Sequence, residues 1–122
     1  MKRDRIIYWV ATGLLGLFMV GSGIGYFLKT DEVQATFAQL GFPTYLVIPV
    51  GIAKILAIVA IVTNLNSTLR GLAYAGLFFE FLIALSAHLN AADNEYLGAV
   101  VALILLITSW YFGKKVIGPI TL

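Results

Sequence analysis

Residues 44–63, TYLVIPVGIAKILAIVAIVT, and residues 71–89, GLAYAGLFFEFLIALSAHL, decide the fold. A helix needs roughly 20 mostly apolar residues to cross the hydrocarbon core of a bilayer, and each stretch is close to that length. Each also carries one charge near its middle, Lys54 in the first and Glu80 in the second. An ionised side chain at the centre of a membrane helix costs about 2.5–3.5 kcal/mol on insertion scales. Such charges are tolerated when they meet each other or serve a function. Ser67, in the turn between the stretches, is thirteen positions from each of them. On antiparallel helices rising about 1.5 Å per residue, Lys54 and Glu80 therefore reach the same depth. The sequence predicts a direct or water-bridged ion pair between these two spans.

Two further apolar segments flank the pair, residues 6–28 and 96–112, giving four spans in a single domain covering 1–122. The chain is 61% hydrophobic and 11% charged, with a mean hydropathy of +0.97, which excludes an ordinary soluble domain. It contains no cysteine, so disulfides, thiolate metal sites and Cys-x-x-Cys redox chemistry are excluded. The sequence pI near 9.0 is not read as a nucleic-acid signal, because the basic residues cluster at the termini beside apolar spans. The first span follows Lys2, Arg3 and Arg5 as a signal peptide would. Its apolar run is too long for that, and it lacks a small-x-small cleavage site, so it is expected to be retained.

The flanks set the expected orientation. Lys2, Arg3 and Arg5 precede the first span, Arg70 lies in the second connection, and Lys114 and Lys115 end the fourth span. The first connection sets Lys29 against Asp31 and Glu32, and the third has Asp93 and Glu95 without a base. The positive-inside rule then places both termini and the second connection in the cytoplasm.

Within the first outer connection, residues 31–40 read as a short amphipathic helix. Thr30 suits its N-cap, Asp31 and Glu32 its first turn, and Val33, Phe37 and Leu40 one apolar face. Gly41 fits the stop, and Pro43 prevents continuation. Small residues predict close packing: Gly13, Gly16 and Gly23, with Gly21 and Gly25 as a second pair, then Ala53, Ala57 and Ala60, then Ala73, Gly76, Ala84, Ala87 and Ala91, then Gly98, Ala102 and Ser109. Pro49 suggests a bend in the outer half of the second span. Tyr8, Trp9, Tyr45, Tyr96, Trp110 and Tyr111 read as an interfacial aromatic belt. The expected fold is all-α, an antiparallel four-transmembrane-helix bundle with the short helix at its outer side.

The stretches YWVATGLLGLFMVGSG (8–23), LGFPTYL (40–46), GIAKILAIVAIV (51–62), LRGLAYAGLFFEF (69–81) and SAHL (86–89) resemble, in order and spacing, the DoxX-like family of small bacterial membrane proteins. The resemblance implies a four-helix membrane bundle in the bacterial cytoplasmic membrane. It also implies a lysine on the second helix and an acid on the third, matching Lys54 and Glu80. In related proteins a serine and histidine are often adjacent; here Ala87 separates Ser86 from His88. The family name derives from a subunit linked to thiosulfate and quinone chemistry. Other relatives are associated with oxidative-stress complexes or with assembly of membrane proteins.

The candidate ligand-binding residues are Lys54, Glu80, His88, Ser22, Tyr26 and Ser86. Ser22 and Tyr26 share a face at i and i+4 in the outer half of the first span, while Glu80, Ala84, Ala87 and His88 climb toward the outer surface on the third. The expected product is a narrow apolar cavity between these two spans, with Glu80 and Lys54 at its floor and His88 at its rim. A lone histidine is a weak metal signal, so no metal is expected, and no catalytic motif is present. Three functions stay open. The leading one is an accessory or binding subunit holding a quinone or lipid. The second is an assembly or interaction factor with a protein partner or a second copy. The third is a small proton-coupled carrier. Membrane lipids are the expected surroundings, and no nucleic-acid partner is expected.

Overall fold

The computed structural model describes residues 2–64, 66–91 and 96–119. They form α1 (Lys2–Leu28), α2 (Thr30–Gln39), a 3₁₀ turn (Thr44–Leu46), α3 (Val47–Thr63), α4 (Ser67–Ala91) and α5 (Tyr96–Val116). The four spans found in the sequence are α1, the 3₁₀ turn continued by α3, α4 and α5, and all four are long and apolar enough to cross a membrane. α1, α4 and α5 run past the expected limits at their basic ends. Asp93 and Glu95, expected on an outer connection, lie outside the described residues.

The helix ends follow local chemistry. Asn64, at the end of α3, takes the left-handed conformation (φ 53°) that suits Asn and Gly. Asn66 starts α4 by accepting from the amides of Thr68 (2.8 Å) and Leu69 (3.1 Å) through its side chain. Gly41 (φ 87°) stops the chain after α2 as expected. Thr30 does not cap α2. It is the first residue of that helix, and its hydroxyl donates back to the carbonyls of Tyr26 (2.8 Å) and Phe27 (2.9 Å). Pro49 is the third residue of α3, inside a first turn whose amides have no intrahelical acceptor within α3. Pro49 therefore costs α3 no internal hydrogen bond, and the change of helix type in the outer half of this span falls just before it, where the 3₁₀ turn passes into α3 at Val47.

α1 packs on α3 and α5, and α4 packs on the same two helices, so α1 and α4 face each other diagonally. The packing is antiparallel. Tyr8 lies against Gly113 and Thr12 against Ser109, while Gly16 lies against Ile58 and Gly23 against Gly51. Only some of the small residues work as contacts. A Cβ on Gly23 would sit 2.8 Å from Ile55 Cγ1 and 3.1 Å from the Gly51 carbonyl, so α1 and α3 meet most closely there. Gly13, Gly21, Gly25, Gly76 and Gly98 have nothing within 4 Å of that position.

Leu15, Met19, Ile58, Ile61, Leu77, Phe81, Ala102 and Leu106 form the core. Large apolar side chains such as Leu17, Leu56, Phe79 and Ile104 point outward, as a bilayer-facing surface requires. Trp9, Tyr45, Trp110 and Tyr111 are exposed near the span ends, and the Lys114 ammonium lies 3.9 Å from the Trp110 ring centroid. Tyr8 does not join that belt, because its side chain is fully buried.

Candidate functional site

Lys54 is the centre of a polar cluster in the half of the bundle away from the chain's basic end. Its side chain is only 7% exposed, against 28% for Glu80. The ammonium lies 3.2 Å from Glu80 Oε1 and donates to Ser22 Oγ at 3.0 Å and to the Tyr26 hydroxyl at 2.9 Å. The Tyr26 ring centroid is 4.1 Å away, adding a cation–π contact. An ammonium has three N–H donors, and three oxygens surround this one. The desolvation of Lys54 is thus offset by an anion and two hydroxyls together. The cluster also joins α1 to α4, the diagonal pair, through the α3 lysine.

Local sequence explains the approach. Gly23 and Gly51 let α1 and α3 come together beside the cluster, and Gly51 faces Tyr26 closely enough that an added Cβ would lie 3.1 Å from its Cβ. Ser22 and Tyr26, one turn apart, then reach across to Lys54. The α2 helix folds over this spot, with the Phe37 ring edge-on to Tyr26 (centroids 5.7 Å apart) and to Phe42 (6.0 Å).

An open groove of about 400 Å³ runs along α4, lined by Leu40 and Phe42 after α2 and by Leu82, Ile83, Ser86, Ala87 and Asn90 of α4. Glu80, Ile83 and Ala87 fall at i, i+3 and i+7, one stripe of the helix. The groove therefore begins about one turn beyond the carboxylate. Its lining is apolar apart from Ser86 and Asn90.

Four of the six candidate residues, Ser22, Tyr26, Lys54 and Glu80, come together. Ser86 lines the groove instead. His88 stands next to Ala87 on α4, half-buried, and belongs to neither group. The opening also differs in position from the expected cavity, since it lies between α4 and the connection after α2 rather than between α1 and α4. With α1 and α4 on the diagonal, the space between them is occupied by core and polar side chains.

Sequence reading missed a second polar cluster, nearer the opposite end. Ser109 Oγ lies 2.6 Å from Thr12 Oγ1 and 2.7 Å from the Tyr74 hydroxyl, all buried. It bridges α1 and α4 through α5, as Lys54 does through α3. The available signal was weak: a small hydroxyl residue in each of two spans, which elsewhere in this chain bonds its own backbone, as Thr63 and Thr108 do. No group of three or more His, Cys, Asp or Glu residues able to hold a metal ion occurs among the described residues.

No curated protein and no solved structure matches the chain. The description of the DoxX-like family matches residues 10–112, which takes in α3, α4 and most of α1 and α5, with both polar clusters. A multi-pass bundle of four membrane-spanning helices, with an intramembrane ion pair between α3 and α4, is thus the form this family takes here, and the chain belongs to the DoxX-like family.

Proposed function

We propose that the protein is an accessory or binding subunit of the bacterial inner membrane, with both termini cytoplasmic, that holds one small apolar molecule with a polar head in the groove along α4. The observation that carries this reading is the groove itself: about 400 Å³, mostly apolar, with an α4 wall that begins about one helical turn from Glu80. Preformed ligand sites commonly have this size and a few convergent polar groups. The three Lys54 donors are already engaged by Ser22, Tyr26 and Glu80, so the polar group left to recognise a head is an acceptor. A head that donates a hydrogen bond fits best, such as a quinol hydroxyl or the ethanolamine or glycerol of a lipid. Ser86 and Asn90 hold the outer part of the same molecule. The test is extraction of bound small molecules from the purified protein. Wild type should carry a quinone-class or lipid species beyond bulk composition, and Ala87→Phe, which fills the groove, should lose it. Equal retention by the variant would refute the reading.

A second reading rests on Gly21 and Gly25. They form a small-xxx-small pair on α1, and neither has a neighbour where its side chain would be. Such a pair suits close approach of another membrane helix, from a partner protein or a second copy. Disulfide capture of Gly21→Cys between copies would support it, and a strictly monomeric protein in bilayers would exclude the second copy.

A further inference from the structure

Six of the eight basic residues gather at the end of the bundle opposite the Lys54 cluster: Lys2, Arg3, Arg5, Arg70, Lys114 and Lys115. Five of them are exposed. Arg70 is 3% exposed, and its Nε and Nη2 are buried with no hydrogen-bond partner. The Tyr8 hydroxyl is buried and makes no hydrogen bond either, although it and the guanidinium lie near the Tyr74 hydroxyl of the second polar cluster. These atoms share one place, because a Cβ added to Gly113 would lie 3.0 Å from Tyr8 Cε1 and 3.3 Å from Arg70 Nη2. Gly113 lets the guanidinium and the phenol tuck in against α5.

A buried cation without an anion is costly, and buried polar groups are almost always hydrogen-bonded. No carboxylate among the described residues pairs with Arg70; the ion pair they contain is Lys54–Glu80. Arg70 is also in the first turn of α4, whose dipole adds positive potential instead of relieving it. The site is thus missing negative charge, with planar N–H donors and one phenol ready to meet it.

We infer that Arg70 and the Tyr8 hydroxyl receive a phosphate-type anion entering from the basic end. Guanidinium suits such oxygens through paired N–H donors. The anion has two sources, the head of an anionic phospholipid or free phosphate. An apolar groove of about 380 Å³ along the α1–α5 seam, lined by residues such as Ile7, Ala11, Leu14 and Leu105, occupies the same half of the bundle and gives an acyl chain somewhere to lie. This inference is independent of the outer groove.

The test titrates the purified protein, in neutral detergent, with phosphatidylglycerol by native mass spectrometry and with inorganic phosphate by thermal unfolding. Arg70→Met should weaken one of the two by about tenfold or more, and Tyr8→Phe should weaken the same one by about threefold. Loss confined to phosphatidylglycerol identifies the lipid source, and loss confined to phosphate identifies the free anion. Without added anion, the melting temperature of Arg70→Met should equal or exceed that of wild type, since the variant removes an unpaired buried charge. A lower melting temperature would overturn the inference, as would unchanged binding of both probes in either variant. So would an Asp4→Asn variant that binds either probe about tenfold more tightly than wild type, because Asp4 would then be the counter-ion that already occupies Arg70.

Discussion

Glu80→Gln, Lys54→Met and their combination form a cycle that measures the intramembrane pair. Glu80→Gln leaves an ammonium at 7% exposure with only neutral acceptors, Ser22 and Tyr26, at 3.0 and 2.9 Å. Lys54→Met leaves a carboxylate that is 28% exposed and better able to reach water. Broken buried ion pairs in soluble proteins cost roughly 3–5 kcal/mol, and polar contacts in membrane proteins average about 0.6 kcal/mol. The depth of Lys54 places Glu80→Gln near the upper range, at about 3 kcal/mol, and Lys54→Met lower, at about 2 kcal/mol. The double variant removes both charges and leaves only the hydroxyls of Ser22 and Tyr26 without their donor. It should cost less than either single variant, about 1–2 kcal/mol, giving a coupling of about 3 kcal/mol or more. Reversible unfolding in mixed micelles, followed by far-UV circular dichroism, reads all three. Effects that add within about 0.5 kcal/mol would refute a direct pair.

Other outcomes follow from the packing. Gly23→Ala places a methyl 2.8 Å from Ile55 Cγ1 and should destabilise by about 1–3 kcal/mol, whereas Gly21→Ala, with open space around it, should not; melting temperatures separate the two. Ser109→Ala strands the buried Thr12 and Tyr74 hydroxyls and should cost about 1–3 kcal/mol in the same unfolding assay, with less added by Tyr74→Phe on that background than on wild type. Single cysteines at Gln39 and Ser67 should label from opposite faces of the membrane, Ser67 from the cytoplasm; labelling of both from one face would contradict four spans.

Most of the bundle was legible because its signals are local. Apolar length gives the spans, and equal separation of Lys54 and Glu80 from Ser67 gives their common depth. The i, i+4 spacing of Ser22 and Tyr26 put them on one face, but which helix that face meets depends on the pairing of α1 with α3. That pairing is governed by Gly23 and Gly51, and Gly51 looks no different in sequence from Gly98, where an added Cβ would meet nothing within 4 Å. Tyr8 shows the same limit. A tyrosine near a span end reads as interfacial, and only the absence of a side chain at Gly113 opens the interior to it. Thr30 misled for another reason: a threonine after a helix caps the next one or bonds back to the last, and α2 follows α1 too closely for the capping geometry.

The central claim, that a small amphiphile occupies the groove above Glu80, is tested most directly by photo-crosslinking in native membranes. Diazirine-bearing quinol and phospholipid probes would be followed by peptide mapping. Adducts on Phe42, Ile83, Ser86 and Ala87, reduced in Ala87→Phe and in Glu80→Gln, are the predicted result. Adducts spread evenly over outward-facing residues such as Leu17, Leu56 and Ile104, with no excess along the groove, would contradict it.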